Sequence, residues 1–174
     1  MDNELINTVA LARLSYFHLN VMVALYREMG SATAIVEQRR DLLKMFPNLP
    51  VRISSALASL DVMRERAEEE LVWAADHEVK AFCLNDPRYP RRLKDVPDAP
   101  LVLFYRGTAD LNARRVVNIV GTRHCTAYGT DLIRRFVADL RVCCPDTVIV
   151  SGLAYGVDIN AHRQSADDDS VRAA

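Results

Sequence analysis

Glycine and proline are scarce in this 174-residue chain, which contains 6 Gly, 7 Pro and a single Trp. That scarcity excludes collagen-like and glycine-rich low-complexity character. No apolar run approaches the roughly 20 residues that a membrane-spanning helix needs. The acidic N-terminus, Met1–Glu4, lacks the basic stretch that opens a signal peptide. We therefore expect a cytoplasmic protein with no membrane partner.

The four cysteines lack the spacing of a metal site. Cys143 and Cys144 are adjacent, and no C-x-x-C or paired-histidine motif accompanies them or the other two, Cys83 and Cys125. A reducing cytoplasm keeps such thiols free. The sequence therefore predicts no metal site, and no motif in it calls for a cofactor.

The net charge is also small, at −1, but its distribution is uneven. Residues 81–135 carry 10 basic and 5 acidic side chains, and nine of the ten cations are arginines. The planar guanidinium fork suits phosphate oxygens. A basic but merely solvated surface would look the same, so charge alone leaves both interpretations open.

The residue pattern divides the chain into two parts. Apolar residues recur at three- and four-residue steps through residues 1–75, which predicts a domain of short helices and places Tyr16, Phe17, Tyr26 and Trp73 in its core. From residue 76 to 174 apolar strands alternate with a helix, as in strand 116–120, helix 131–142 and strand 147–150. That βαβ order predicts an α/β domain with a parallel sheet.

Two glycine turns follow the last two of those strands. The first runs from Gly121 to Gly129 and the second from Ser151 to Asp158. Ligands of open α/β sheets bind beyond the carboxyl ends of the strands, where backbone N–H groups and a helix N-terminus attract anions. Arg123 adds a full positive charge there. The sequence therefore predicts a phosphate-binding ledge shared by both turns.

The usual nucleotide motifs are missing from these turns. The chain contains neither G-x-G-x-x-G nor G-x-x-x-x-G-K-[ST], so an ordinary dinucleotide site and a P-loop are unsupported. The residues by themselves leave open whether the ledge takes a nucleic acid or a nucleotide.

Four sequence blocks resemble the DNA-processing protein A (DprA, also called Smf) family. In order along the chain they are Asp86-Pro87-Arg88-Tyr89-Pro90 with Leu93, then Pro100-Leu101-Val102-Leu103-Phe104-Tyr105-Arg106-Gly107, then Val120-Gly121-Thr122-Arg123 with Tyr128-Gly129, and finally Ser151-Gly152-Leu153-Ala154-Tyr155-Gly156-Val157-Asp158 with Ala161-His162. The blocks cover residues 80–165.

The resemblance implies a fold and a function. It implies a sterile-alpha-motif-like (SAM-like) helical domain at residues 1–75 and a Rossmann-like domain at 76–174. It implies a protein of natural transformation that is not an enzyme: it binds single-stranded DNA, hands it to the recombinase RecA and forms a homodimer. In this family the arginine of the Gly-x-Arg turn contacts DNA phosphate, and that position is Arg123.

The chain departs from the family at its end. The family's Rossmann-like domain continues with further strands that complete the sheet and supply much of the dimer interface. Here the chain ends at Asp167-Asp168-Asp169-Ser170-Val171-Arg172-Ala173-Ala174, which is polar and unlike the family. We therefore expect an incomplete Rossmann-like domain, a tail that completes no core and an exposed sheet edge.

Both turns supply the candidate DNA-binding residues. They are Gly121, Thr122, Arg123, Thr126, Tyr128, Gly129, Ser151, Gly152, Leu153, Ala154 and Gly156. For Thr122 and Thr126 the alternative is helix capping, and for Tyr128 it is packing under the turn. For the glycines a purely conformational role is the alternative.

The rival function is an enzyme that binds or hydrolyses nucleotides. It would need a catalytic acid beside the phosphate turns, and the acidic motif typical of such hydrolases is not visible. Ser151 lacks an evident base, so no catalytic residue is assigned. Asp158 and His162, four residues apart on one helix face, more often close a local hydrogen bond than form an acid–base pair.

Overall fold

A computed structural model of the chain describes residues 2–14, 18–57 and 59–163. It is a mixed structure of helices and two small sheets. The chain forms two compact units, Met1–Arg106 and Gly107–Ala174. Within the described ranges no helix is long and apolar enough to span a bilayer. The tail predicted to complete no core lies outside these ranges, as do Tyr16 and Phe17.

Short helices make up most of the first unit, as the sequence predicts. They are α1 (Asn3–Leu14), α2 (Leu19–Met29), α3 (Ala32–Glu37), α4 (Leu42–Met45), α5 (Val51–Leu57) and α6 (Leu60–Asp76).

Local chemistry sets the boundary between α2 and α3. Gly30 ends α2 in the left-handed conformation, at φ 79°, and its N–H donates to the Tyr26 carbonyl. Ser31 then begins α3, because its hydroxyl accepts from the N–H of Ala34 at 3.0 Å. The carboxylate of Glu4 in α1 also accepts from the backbone N–H of Ala32 at 2.7 Å. The first helix therefore satisfies donors at the start of the third.

The core of the first unit lies where α1 packs against α3 and α6. Val9, Leu11 and Tyr26 are almost completely buried there, so the prediction for Tyr26 is confirmed. The prediction for Trp73 is wrong, because its side chain is 58% exposed. Helix α6 buries Leu71, and at 3.6 residues per turn Trp73 lies about 200° further round the helix.

An antiparallel hairpin also belongs to the first unit. Strand β1 (Lys80–Cys83) pairs with β2 (Val102–Tyr105), and β1 packs on α1 and α6. The segment between the strands contains the short helix α7 (Arg91–Lys94) and buries Tyr89, whose hydroxyl donates to the Pro100 carbonyl at 2.7 Å. The first compact unit therefore extends past residue 75, while the predicted domain division there stays a prediction.

The second unit has the predicted βαβ order. Strand β3 (Arg115–Asn118) leads into helix α8 (Ala127–Cys143), then strand β4 (Thr147–Val150) and helix α9 (Val157–His162). The two strands pair in parallel, with Asn118 opposite Val150. The core between sheet and helices contains Ile119, Val137, Ile149 and Ala161.

Candidate functional site

The two glycine turns leave the sheet at the same edge. Asn118 and Val150, the last residues of β3 and β4, are paired, and the N–H of Ile119 continues the ladder by donating to the Val150 carbonyl at 2.9 Å. Gly121 and Gly152 follow within a few residues. The parallel register therefore brings together the two segments that carry every predicted site residue.

One buried carboxylate ties the turns together. The N–H of Gly121 donates to Oδ1 of Asp158 at 3.2 Å, and the N–H of Gly152 donates to Oδ2 at 3.1 Å. Asp158 is only 3% exposed, so these charge-assisted bonds offset the cost of burying its charge. These two amides serve the protein itself, which leaves other groups of the turns to meet a ligand.

Gly156 allows the turns to touch. Its φ is 87°, and a Cβ atom at this position would lie 2.1 Å from the carbonyl oxygen of Thr122. The same carbonyl accepts from the N–H of Val157 at 3.2 Å. A Cβ at Gly121 would likewise lie 2.7 Å from the Val157 side chain. Neither position has room for a side chain, because Gly156 lies against the backbone of the first turn and Gly121 lies against the Val157 side chain.

Ser151 and His162 hold the second turn from its other side. The Ser151 hydroxyl lies 2.8 Å from Nε2 of His162 and accepts from the N–H of Leu153 at 3.1 Å. Burial lowers the pKa of His162 below its ordinary 6.5, and the charge of Asp158 opposes that shift. The neutral ring can accept the hydroxyl proton. Asp158 and His162 therefore each fix the turn through a separate partner.

The threonines of the first turn shape its backbone. The Thr126 hydroxyl accepts from the N–H of Gly129 at 3.1 Å, which caps the N-terminus of α8. Oγ1 of Thr122 accepts from the N–H of His124 at 3.2 Å. A Cβ at Gly129 would lie 2.7 Å from the Cys125 sulfur. The capping alternative therefore holds for Thr126, whereas Thr122 stabilises the turn before the helix, and both hydroxyls retain a proton to donate.

Exposed side chains surround the meeting point of the turns. Arg123 is exposed, and no carboxylate within the described part of the chain forms an ion pair with it. Tyr128 is 77% exposed, so it does not pack under the turn. Leu153 is 58% exposed with φ 52°, and Ala154 is partly buried. The site thus combines a free cation with accessible aromatic and apolar surface.

Sequence reasoning missed one contributor and the partners of two others. Tyr155, in the second turn, is 80% exposed and matches Tyr128 as an aromatic group available to a ligand. Its place inside a glycine turn was the available signal. Asp158 and His162 were noticed only as a pair along the helix. Their partners Gly121, Gly152 and Ser151 come from other segments, so spacing alone could not reveal the bonds.

A family model described as DNA recombination-mediator protein A matches residues 80–173, which include both glycine turns. The chain belongs to this family. The DNA processing protein DprA of Streptococcus pneumoniae is 39% identical over 82 residues, and that of Bacillus subtilis is 40% identical over 88.

These DprA matches are partial. They cover 47% and 50% of this chain but only 28% and 29% of the two relatives, so the chain spans less than a third of either. Protein Smf of Synechocystis is 40% identical over 82 residues, with 20% of its length covered. An X-ray structure of the pneumococcal DprA covers 85% of this chain at 22% identity, with a TM-score of 0.48 and 54% of its own chain covered.

Proposed function

We propose that this chain binds single-stranded DNA at the paired glycine turns without catalysing a reaction. The observation that carries the proposal is the exposed Arg123, which has no ion-pair partner among the described residues and lies where two backbone turns meet beyond a parallel sheet. A guanidinium at that edge can form directed hydrogen bonds to a phosphate. Membership of a recombination-mediator family supports DNA as the source of that phosphate.

The exposed aromatic side chains support single strands over duplex. Tyr128 and Tyr155 leave most of their ring surface open to solvent. Bases of a single strand can stack on such rings, whereas the bases of a duplex are already stacked. Because every base has a stacking face and the cation recognises phosphate, we expect binding with little sequence preference.

Substitution of Arg123 tests this assignment. We expect Arg123→Ala to weaken single-stranded DNA binding roughly tenfold or more, since a hydrogen bond to a charged group is worth about 1.5–3 kcal/mol. Arg123→Lys should recover part of the loss because it restores charge without the fork. The measurement is fluorescence anisotropy with labelled single-stranded and duplex oligonucleotides at two salt concentrations.

Two matched arginines serve as controls. Arg115 begins β3, at the opposite end of the strand from the turn, and Arg135 lies two helical turns into α8. Both are exposed, and both variants lose the same charge as Arg123→Ala. We expect them to weaken binding less than Arg123→Ala. If Arg115→Ala were the damaging variant and Arg123→Ala bound like the parent, the DNA would run elsewhere.

A nucleotide-hydrolysing enzyme is the second candidate, because Ser151 lies 2.8 Å from a histidine. A serine nucleophile also needs a donor for the developing oxyanion. The adjacent N–H, that of Gly152, already donates to Asp158. Ser151→Ala separates the candidates: an enzyme would hydrolyse nucleotides and lose most of that activity in the variant, whereas a DNA binder would show no hydrolysis in either the parent or the variant.

We further propose that the whole protein delivers the bound strand to RecA in the cytoplasm and works as a homodimer. The family's description as recombination mediators supports this role. The β3–α8–β4 arrangement supports a Rossmann-like domain, and the helices before it support a SAM-like one. The test is RecA filament growth on DNA coated with single-strand-binding protein, with and without the full-length protein. No acceleration would contradict the role.

A further inference from the structure

Helix α6 has an outward face that the first unit leaves uncovered. The helix buries Leu60, Ala67, Leu71 and Ala74. Its other side carries three apolar side chains, Val62, Val72 and Trp73, that are 60%, 49% and 58% exposed. Exposed acids lie between and beside them at helical spacing, namely Glu65, Glu68, Glu69 and Asp76, and one exposed cation, Arg66, lies on the same side of the helix. We call these eight residues the α6 acidic face.

The carboxylates of this face have no cationic partner within the described residues. Other acids of the same helix do have one: Glu70 pairs with Arg13 at 2.7 Å and Asp61 with Arg39 at 3.4 Å. On the open side, Glu65 and Glu69 are like charges four residues apart, which weakens a helix slightly. Asp76 adds a negative charge at the unfavourable C-terminal end. The arrangement therefore costs stability while the face stays uncovered.

Trp73 lies near the C-terminal end of this face. Its ring stacks on His77, with centroids 4.0 Å apart and planes at 18°, and Nδ1 of His77 lies 2.7 Å from the Trp73 carbonyl oxygen. The stacking restricts the rotation of an indole that remains more than half exposed. Indole is the aromatic ring that binds cations best, and surrounding carboxylates strengthen the attraction.

We propose that the α6 acidic face docks a basic amphipathic helical segment of a partner protein. The four carboxylates outnumber the one arginine of this face and repel DNA, so this surface is distinct from the proposed DNA site and needs a positively charged partner. Apolar side chains at both ends of the face suit the leucine-type residues of such a helix. From Val62 to Asp76 the face is about 21 Å long, at 1.5 Å per residue, which matches roughly fourteen residues of helix.

The only tryptophan of the chain reports directly on this surface. The probe is a synthetic fourteen-residue peptide with leucine on one helical face and arginine on the other. A matched peptide carries glutamate in place of arginine. Titration into the full chain should change Trp73 emission saturably with the arginine peptide only. If both peptides act alike, or neither acts, the proposal is overturned.

A charge-matched pair of variants separates local docking from general attraction. The double variant Glu65→Gln with Glu69→Gln should bind the arginine peptide roughly three- to tenfold more weakly, because each exposed ion pair contributes up to about 1 kcal/mol of binding free energy. The control, Glu28→Gln with Glu37→Gln, removes the same charge from exposed positions on α2 and α3 and should leave affinity unchanged. Equal losses in both double variants would refute the assignment.

Self-association is distinguished in the same experiment. If a second copy of the chain covers the face, Trp73 emission will depend on protein concentration without any peptide, and Glu65→Gln with Glu69→Gln will abolish that dependence. This result would overturn the proposal of a separate partner protein. Emission that is constant over a hundredfold dilution, together with saturable binding of the arginine peptide, supports it.

Discussion

Asp158 shows how one side chain can organise a ligand site without touching the ligand. Both of its oxygens accept from backbone N–H groups, one in each glycine turn. The carboxylate thereby accepts hydrogen bonds from two backbone N–H groups, those of Gly121 and Gly152, that the glycine turns had suggested as phosphate donors. The exposed Arg123 and the tyrosines remain for the ligand, which moves the proposed DNA contact from the glycine backbone toward side chains.

Gly156 is the residue where a single methyl group should do most damage. We expect Gly156→Ala to lower the free energy of unfolding of the second unit by about 2 kcal/mol or more, from the positive φ and the clash with the Thr122 carbonyl. Urea unfolding followed by circular dichroism measures this loss. Gly30→Ala is the control, because Gly30 has a similar φ of 79° but open space around it, so only the conformational cost applies.

His162 should make the second unit sensitive to acid. Its pKa is lowered in the folded state by burial, so the unfolded chain binds the proton more readily. His162 contributes fully to the free energy of unfolding when the pH is above its pKa in the unfolded chain, near 6.5. This contribution is lost as the pH falls toward the lower pKa of the folded state. Unfolding midpoints between pH 7.5 and 5 should therefore decrease less in His162→Gln than in the parent.

The stability of helix α8 depends on the residue that caps its N-terminus. Thr126 caps the helix, and the turn that carries Arg123 ends there. Thr126→Ala should cost about 1 kcal/mol of unfolding free energy and should also weaken DNA binding, because the preceding turn loses its anchor. Thr126→Asn restores an N-cap and should recover stability in urea titrations. A variant that loses stability while binding DNA normally would uncouple the cap from the site.

The helices and the parallel strand pair could be predicted from the sequence because their sequence signals lie between near neighbours in the chain. Gly30 and Ser31 end one helix and begin the next by contacts within four residues. The hairpin of β1 and β2 has no such local signal. Its pairing brings Lys80 opposite Tyr105, across a segment whose path depends on the burial of Tyr89. A contact over that sequence distance leaves no periodic pattern.

The whole chain offers a test of where its first folding unit ends. A fragment of residues 1–75 would lack the hairpin of β1 and β2, together with the buried Phe82 in β1 and the buried Leu101 that precedes β2, while a fragment of residues 1–106 retains them. Burial of each such side chain contributes about 1.5–3 kcal/mol. We expect the longer fragment to unfold cooperatively and at higher urea concentration. Equal midpoints would favour the division after residue 75 predicted from the sequence.

The amino-acid sequence by itself determined the helical first part, the βαβ order of the second, the family and the two turns that meet at one sheet edge. Those properties follow from spacing, capping residues and short motifs, which act between near neighbours. The tertiary structure decided that Trp73 faces outward, that Tyr128 is open to a ligand and that Asp158 binds both turns. Side-chain environments of this kind depend on which distant segments pack together, and no local pattern encodes that.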